Sequence, residues 1–319
     1  MAQNTMNIAV AVDEKFVKYS CVMLTSLFEN HRDREIQVFV LYGQIDETQL
    51  KYFADLADRY EQKIQLIQMQ REWFPEELPH TKEWPLEVYY RLALADILPK
   101  EIDRVLYLDV DVIVKDSIWE FYSTDFQGKS LCACRDMSAL DGMAPAQYEL
   151  FREHRKDPDF KYFNTGVLLM NLKKMRENVS LDFFIRRGLE LNLVAVDQDL
   201  LNYVFHGDVQ YFDEYRYDLF AKLAYNKGLG YDWVLQNTSI IHFAGRKPWH
   251  HETLHYDTEK FWWNYAKMTP FYTQFLEDVV LNDVESGFKN ELINKMSREK
   301  QELSVALQKC VDLLKRLEK

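Results

Sequence analysis

The sequence predicts an α/β protein, a doubly wound sheet flanked by helices, with a helical extension at its C-terminal end. Three observations carry that prediction. Apolar runs of strand length alternate with helical stripes over the first hundred residues. A strand-length run, Arg104-Val-Leu-Tyr-Leu, leads directly into Asp109-Val-Asp111 and then turns apolar again through Val114. Beyond Lys289, apolar residues recur at helical spacing to the end of the chain.

Taken in order, Ile8-Ala-Val-Ala-Val12 is a first strand whose tip carries Asp13. Tyr19, Met23 and Leu27, flanked by Leu24 and Phe28, mark a helix. Ile36 to Tyr42 reads as the second strand. Asp46 is placed to cap a helix through Tyr60, with Leu50, Phe53, Leu56 and Ala57 on its inner face. Ile64 to Ile67 is a third strand. Asp13-Glu-Lys-Phe-Val stands where a dinucleotide fold would carry its glycines, which argues against a Rossmann dehydrogenase, and no Walker loop is present either. A loop with Pro75, Pro79 and Pro85 leads to a helix over Val88–Ala95 that delivers Arg91 just before the central strand.

Side chains two apart on an extended chain share a face. Asp109 and Asp111 are therefore expected to project together at the C-terminal end of a buried strand, where open α/β sheets bind ligands. A hard divalent cation relieves the repulsion between two such carboxylates and still has room for phosphate oxygens. The pair reads as a metal–diphosphate site; the plainer alternative is an acidic turn after a core strand. Arg91 has two readings as well, pairing with a structural carboxylate or contact with a diphosphate.

Leu131 to Cys134 is a further strand, ending in Arg135-Asp136, and Gln147 to Phe160 is a charged surface helix and loop. Asn164-Thr-Gly166 reads as a turn opening into a strand, with Asn164 either a turn residue or a sugar contact. Asp197 sits where a helix N-cap is expected, whereas Gln198 beside it has no comparable structural reason. Tyr211 to Tyr231 is rich in aromatics, suited to an acceptor cleft or to core packing. Ile240-Ile-His242 is a strand end followed by a glycine turn with Arg246 and Lys247. His242 is structural or a ligand, and the turn is a phosphate clamp in outline.

At 319 residues and 47% hydrophobic content, the chain can bury a large core. Its net charge of -12 argues against nucleic acid as a partner but leaves a nucleotide open. Four cysteines, Cys21, Cys132, Cys134 and Cys310, suggest neither a disulfide framework nor a zinc site. Residues 1–12 lack the basic segment and apolar length of a signal peptide, and no stretch reaches bilayer-spanning length. The expectation is a cytoplasmic protein. Tyr256 to Leu276 is aromatic and expected to pack back on the domain. Leu303, Ala306, Leu307, Cys310, Leu314 and Leu317 make one stripe in a segment with eight Lys/Arg against five Asp/Glu. That stripe is a solvated helix, a homodimer contact or a peripheral contact at the inner membrane face.

In order, Ala-Val-Asp13, Tyr-Arg-Leu around Arg91, Leu-Tyr-Leu-Asp-Val-Asp111, Phe-Asn-Thr-Gly166, Asp-Gln-Asp199 and His-Phe-Ala-Gly245 running into Lys-Pro-Trp249 resemble glycosyltransferase family eight. That family includes glycogenin and bacterial lipooligosaccharide and lipopolysaccharide galactosyl- and glucosyltransferases. The resemblance implies a GT-A fold, a Rossmann-like mixed sheet flanked by helices, over 1–250, with 251–319 as the extension. It implies Mn²⁺-dependent, retaining transfer of a hexose, glucose or galactose, from a UDP-sugar to a saccharide or glycoconjugate hydroxyl. Residue by residue, it implies Asp109, Asp111 and His242 as metal ligands, with Mg²⁺ a poorer fit than Mn²⁺ to an imidazole-containing set. Ala11, Asp13 and Val110 would meet the nucleotide, and Arg91, Gly245 and Lys247 its diphosphate. Asp136, Asn164, Gly166, Asp197 and Gln198 would surround the sugar, the last two as the catalytic pair.

Two departures stand out. Lys15 replaces an asparagine of the lipooligosaccharide branch, and the turn from His242 to Lys247 is one residue shorter, which makes Arg246 an alternative to Lys247. Two rival readings differ in class. A haloacid-dehalogenase-type phosphatase would use Leu-Asp109-Val-Asp111-Val as its nucleophile motif and Gly207-Asp208 with Asp213 as its metal motif. A non-catalytic UDP-sugar-binding protein would dimerise through the C-terminal stripe.

Overall fold

The computed structural model describes residues 5–82, 84–138, 144–250, 256–281, 284, 300–301 and 304. Its larger sheet has seven strands in the order β3-β2-β1-β4-β7-β6-β8. These are β1 (Thr5–Val12), β2 (Glu35–Tyr42), β3 (Lys63–Gln68), β4 (Arg104–Leu108), β6 (Leu131–Arg135), β7 (Phe163–Asn171) and β8 (Val209–Phe212). From β3 to β4 every neighbour is parallel. β7 runs antiparallel to both β4 and β6, so the sheet is mixed. A second sheet, in the order β5-β10-β9, is built from β5 (Val112–Val114), β9 (Leu219–Phe220) and β10 (Ile240–His242).

The parallel half follows from its sequence. The continuous apolar runs of β1 and β4 are buried on both faces, as parallel strands covered by helices must be. α1 (Val17–Glu29) buries most of its surface and is a core helix. α2 (Glu47–Tyr60) starts as expected, with Asp46 accepting the Thr48 N–H at 2.8 Å, and turns Phe53, Leu56 and Tyr60 inward. The Glu259–Ala266 helix buries Phe261 and Trp262, and its Tyr265 hydroxyl accepts from Asn30 Nδ2 at 2.7 Å.

Four expectations need correction. The helix over Val88–Ala95 is instead a 3₁₀ segment, Leu86–Ala93, with a single α turn, Leu94–Ile97, after it. Asp109, Val110 and Asp111 do not continue an extended strand. β4 ends at Leu108, the three residues turn, and β5 restarts in the other sheet. Asn164-Thr-Gly166 is not a turn before a strand but lies inside β7. There Ala133 stands opposite Leu168 and Arg135 opposite Phe163, so two steps along β6 face five along β7. The surplus is a bulge that aims the Asn-Thr-Gly segment out of the ladder. Asp197, finally, caps nothing. The Val196–Val204 helix has no side-chain cap at its first turn, and Asp199 reaches back to the N–H groups of Val194 and Ala195, both at 2.7 Å.

The chain divides into two compact units, Met1–Pro248 with His255–Thr269, and Trp249–Leu254 with Pro270–Lys319. Among the described residues no helix is long and apolar enough to cross a membrane. Cys21, Cys132 and Cys134 are buried free thiols, and burial pushes Cys21 up to about 12. The apolar stripe from Leu303 to Leu317, and with it the dimer or membrane contact, lies outside the described residues.

Candidate active site

The turn from β4 to β5 crosses from one sheet to the other, and β10 pairs antiparallel with β5 so that His242 stands opposite Val112. The Phe243 N–H donates to the Asp111 carbonyl at 2.9 Å. This register carries the imidazole to the turn. Asp109, Asp111 and His242 each offer a ligand atom, and these atoms lie within 4.8 Å of one another. His242 Nδ1 is 2.8 Å from Asp218 Oδ1, leaving Nε2 toward Asp111 Oδ1 at 3.4 Å. The Lys247 ammonium donates to Asp111 Oδ2 and, at 2.9 Å, to the Phe243 carbonyl.

The donor set suits a transition or divalent ion, and β7 adds no side chain beside it at Gly166. A Cβ on Gly166 would sit 2.5 Å from His242 Cε1 and 2.7 Å from Asp109 Oδ2. Any larger residue would force the His242 and Asp109 side chains to shift. Without an ion, burial disfavours the charged imidazole, but Asp111 and Asp218 outweigh it and push His242 up to about 10. Burial likewise opposes ionised Asp111, yet Lys247 and His242 hold it well below the usual carboxylate range. The cluster is a nest of buried charges that a bound cation would reorganise.

Arg91 joins this cluster to the next. Its guanidinium is buried and donates to Asp109 Oδ1 at 3.0 Å, to the Thr165 carbonyl at 2.7 Å and to the Val88 carbonyl at 3.0 Å. Nε is also 3.1 Å from Asp197 Oδ2, and the group lies 4.1 Å from the Tyr107 ring centroid. Of its two readings, carboxylate pairing is the one these contacts match. Asp197 is buried, which outweighs the pull of Arg91 and raises its carboxyl to about 6. The residue before it, Val196, is held at φ 33°. That left-handed geometry strains a β-branched side chain.

Gln198 is the hub of a hydrogen-bond network around the β7 bulge. Its Oε1 accepts from Asn164 Nδ2 at 3.1 Å and from the Thr165 N–H at 3.2 Å. Its Nε2 donates to Asp136 Oδ2 at 3.0 Å and to the Tyr162 hydroxyl at 3.3 Å. Asn164 Oδ1 in turn accepts the Gly166 N–H at 2.8 Å. Asn202 clamps the start of β7, accepting the Phe163 N–H and donating to its carbonyl, both at 2.8 Å.

The other expected residues line the same edge. β1 and β4 are in parallel register with Ala9 beside Tyr107, so Ala11 falls level with Asp109. Asp13 follows β1 and accepts the Phe16 N–H at 2.9 Å, capping the short Glu14–Phe16 helix. Val110 is half-buried in the turn between the two aspartates. Gly245 has φ 82°, a conformation other residues rarely adopt, and turns the chain so that Lys247 meets Asp111. Arg246 leaves the site and pairs with Glu259, its guanidinium 5.0 Å from the Tyr256 ring centroid. The phosphatase reading fails here. Asp208 is held by Lys174 and Ser130, and Asp213 caps a helix turn at Tyr215, so neither joins Asp109.

Sequence reasoning missed Asp218, Asp199, Tyr162 and Asn202. Asp199 Oδ1 accepts from the Tyr162 hydroxyl at 2.6 Å and from Gln147 Nε2 at 2.9 Å, supporting Gln198 from behind. The Asp-Gln-Asp triplet flagged its place but not its task.

Comparison with known proteins places the chain in a family. The model of glycosyl transferase family 8 matches residues 7–253. Lipopolysaccharide 1,2-glucosyltransferase of Escherichia coli is 24% identical over 84% of this chain and 77% of its own length. Lipopolysaccharide 1,3-galactosyltransferase of Salmonella typhimurium is 26% identical over 76% of this chain and 73% of its own. Among solved structures, galactosyltransferase LgtC in complex with donor and acceptor sugar analogs aligns with a TM-score of 0.70 at 27% identity, covering 83% of this chain and 96% of that one.

Proposed function

This chain belongs to glycosyltransferase family 8 and has its GT-A fold, and from that premise we propose that it transfers a hexose from a UDP-sugar to a saccharide or glycoconjugate hydroxyl, with Mn²⁺ and with retention. The observation that carries the proposal is the convergence of Asp109, Asp111 and His242 at the turn between the two sheets. Asp109 and Asp111 would hold the ion with His242. An imidazole beside two carboxylates favours Mn²⁺ over Mg²⁺. When bound, the ion supplies a Lewis acid beside the diphosphate leaving group.

The chain's own residues supply the rest. Ala11, Asp13 and Val110 would meet the nucleotide at the C-terminal edge of β1 and β4, where an open α/β sheet binds its ligands. Lys247 pairs with Asp111 in the metal-free chain. Were that carboxylate to hold the ion, the Lys247 ammonium would be free to offset the charge that builds on the leaving phosphate. Arg91 acts through its partners, locking Asp109 and Asp197 in one frame.

Asp136, Asn164, Gly166 and the Asp197–Gln198 pair surround the sugar. Gln198 is a poor nucleophile because an amide oxygen is weakly basic, and its oxygen is already committed to Asn164 and Thr165. Retention therefore runs by attack from the leaving group's own face, with Asp197 and Gln198 stabilising the developing oxocarbenium charge. A trapped covalent glycosyl adduct would overturn that step. The reading as a whole is tested by incubating the protein with a panel of UDP-sugars and Mn²⁺ and following UDP release. Release confined to one or two hexose donors is expected. Mn²⁺-dependent UDP binding with no hydrolysis and no transfer across a broad acceptor screen would make the protein a binding module instead.

A further inference from the structure

Asp218 lies outside every motif that marks the site, yet it touches His242 more closely than either aspartate of the cluster. It comes just before β9, and β9 pairs parallel with β10, placing Leu219 beside Ile241 and Phe220 beside His242. The register therefore brings Asp218 to the imidazole from the side opposite Asp111. Its Oδ1 is 2.8 Å from Nδ1, and the Phe220 ring meets the imidazole edge-on at 5.2 Å between centroids. The ring is held at one nitrogen and one face, and the only nitrogen left for a ligand is Nε2.

Asp218 itself is fully buried, and its second oxygen, Oδ2, is buried with no hydrogen-bond partner among the described residues. A buried charged oxygen left unpaired is destabilising. An asparagine would accept the same Nδ1–H bond without burying a charge, so the bond alone does not account for a carboxylate here. A carboxylate behind a metal-binding imidazole fixes its tautomer and raises its basicity as a ligand.

We propose that Asp218 is the positioning residue of the metal centre, holding His242 with Nε2 presented to the ion and strengthening it as a donor through its charge. The inference rests on the reading of Asp109, Asp111 and His242 as metal ligands. It assigns Asp218 no contact with substrate.

The test is Mn²⁺ affinity without nucleotide, read from the electron paramagnetic resonance signal of the free ion, for the wild type, Asp218→Asn, Asp218→Leu and Asp111→Asn. Asp218→Leu removes both acceptor and charge, and a 10- to 100-fold weaker affinity is expected, the range found for such outer partners. Asp218→Asn keeps an acceptor and loses the charge, and its loss should be smaller but measurable. If Asp218→Leu does not fold, Asp218→Asn alone decides, and wild-type affinity in that variant overturns the proposal. Wild-type affinity in both variants, with Asp111→Asn impaired, sinks the role of Asp218 and leaves the metal reading standing. Wild-type affinity in Asp111→Asn as well sinks the metal reading itself.

Discussion

His31 and His242 are both buried, and both have partners at each ring nitrogen. Their partners differ in kind. His31 Nδ1 lies 2.8 Å from the Leu27 carbonyl, and Nε2 accepts the Ile118 N–H at 2.9 Å. One neighbour needs a donor and the other an acceptor, so the ring is neutral with its proton on Nδ1. Burial lowers its pKa from the usual value. His242 stands between two carboxylates, which hold it protonated up to about 10 against the same burial. Burial alone does not decide what a histidine does. His31 staples the end of α1 to the chain before the Trp119–Tyr122 helix, whereas His242 sits between the carboxylates of Asp111 and Asp218.

If that contrast is right, the site should depend on its charges and the staple should not matter for transfer. The largest effect belongs to Asp111→Asn. It removes the anion facing Lys247 and His242, and transfer should fall on the order of 10³-fold, the scale for losing a transition-state charge stabiliser. Lys247 is left mostly buried without its partner, and stability should drop by about 3 kcal/mol. UDP release and chemical denaturation check the two parts; near-normal turnover would break the contrast. Gly166→Ala comes next. Its Cβ would press on His242 and Asp109, so Mn²⁺ affinity should weaken about 10- to 100-fold by titration. The melting temperature should move much less, because the strain falls on ligand side chains.

Lys247→Met sharpens the comparison by separating two roles. The ammonium occupies Asp111 in the metal-free chain and so competes with an ion for it. Without nucleotide, the variant should bind Mn²⁺ about tenfold more tightly, or ~1.4 kcal/mol. Turnover should nonetheless fall, because the leaving phosphate loses a cation. Weaker binding in the variant would show that Lys247 supports the ion rather than competing with it.

The same two histidines show what a sequence discloses. The parallel half was legible because each strand and helix carries its own local signal: the apolar run to Val12, the Asp46 cap, the strand ending at Leu108. The motif order was enough to pair His242 with Asp109 and Asp111. Asp218 was not legible, because a two-residue strand, β9, brings it to His242 from 24 positions away. Asp197 had two readings, a helix cap from its position and a sugar contact from the resemblance; the cap is absent, and the pairing with Arg91 had no local signal because it is tertiary. The Asn-Thr-Gly segment carries turn chemistry and does bend the chain, but inside a strand, where the register with β6 decides. His31 gave no signal at all: its partners are backbone groups, which almost any residue type could have supplied.

The smallest effect is expected at His31, and it is an effect on stability alone. The folded pKa lies below the unfolded value of about 6.5. The unfolded chain therefore takes up a proton that the folded chain refuses, and folding stability is complete above that value and falls as the pH drops beneath it. The slope can reach about 1.4 kcal/mol per pH unit where the folded ring stays neutral and the unfolded one is charged, so the loss should set in as the pH falls below about 6.5. Carboxylates titrate in the same direction at lower pH, which is why the measurement is a difference. Denaturant midpoints of the wild type and His31→Gln are compared across this range. The variant should start less stable at pH 7, because Gln cannot meet both the Leu27 carbonyl and the Ile118 N–H in the same geometry. Its curve should then be flatter. Equal slopes would mean that the His31 ring accepts a proton in the folded state, and the two histidines would no longer be opposites.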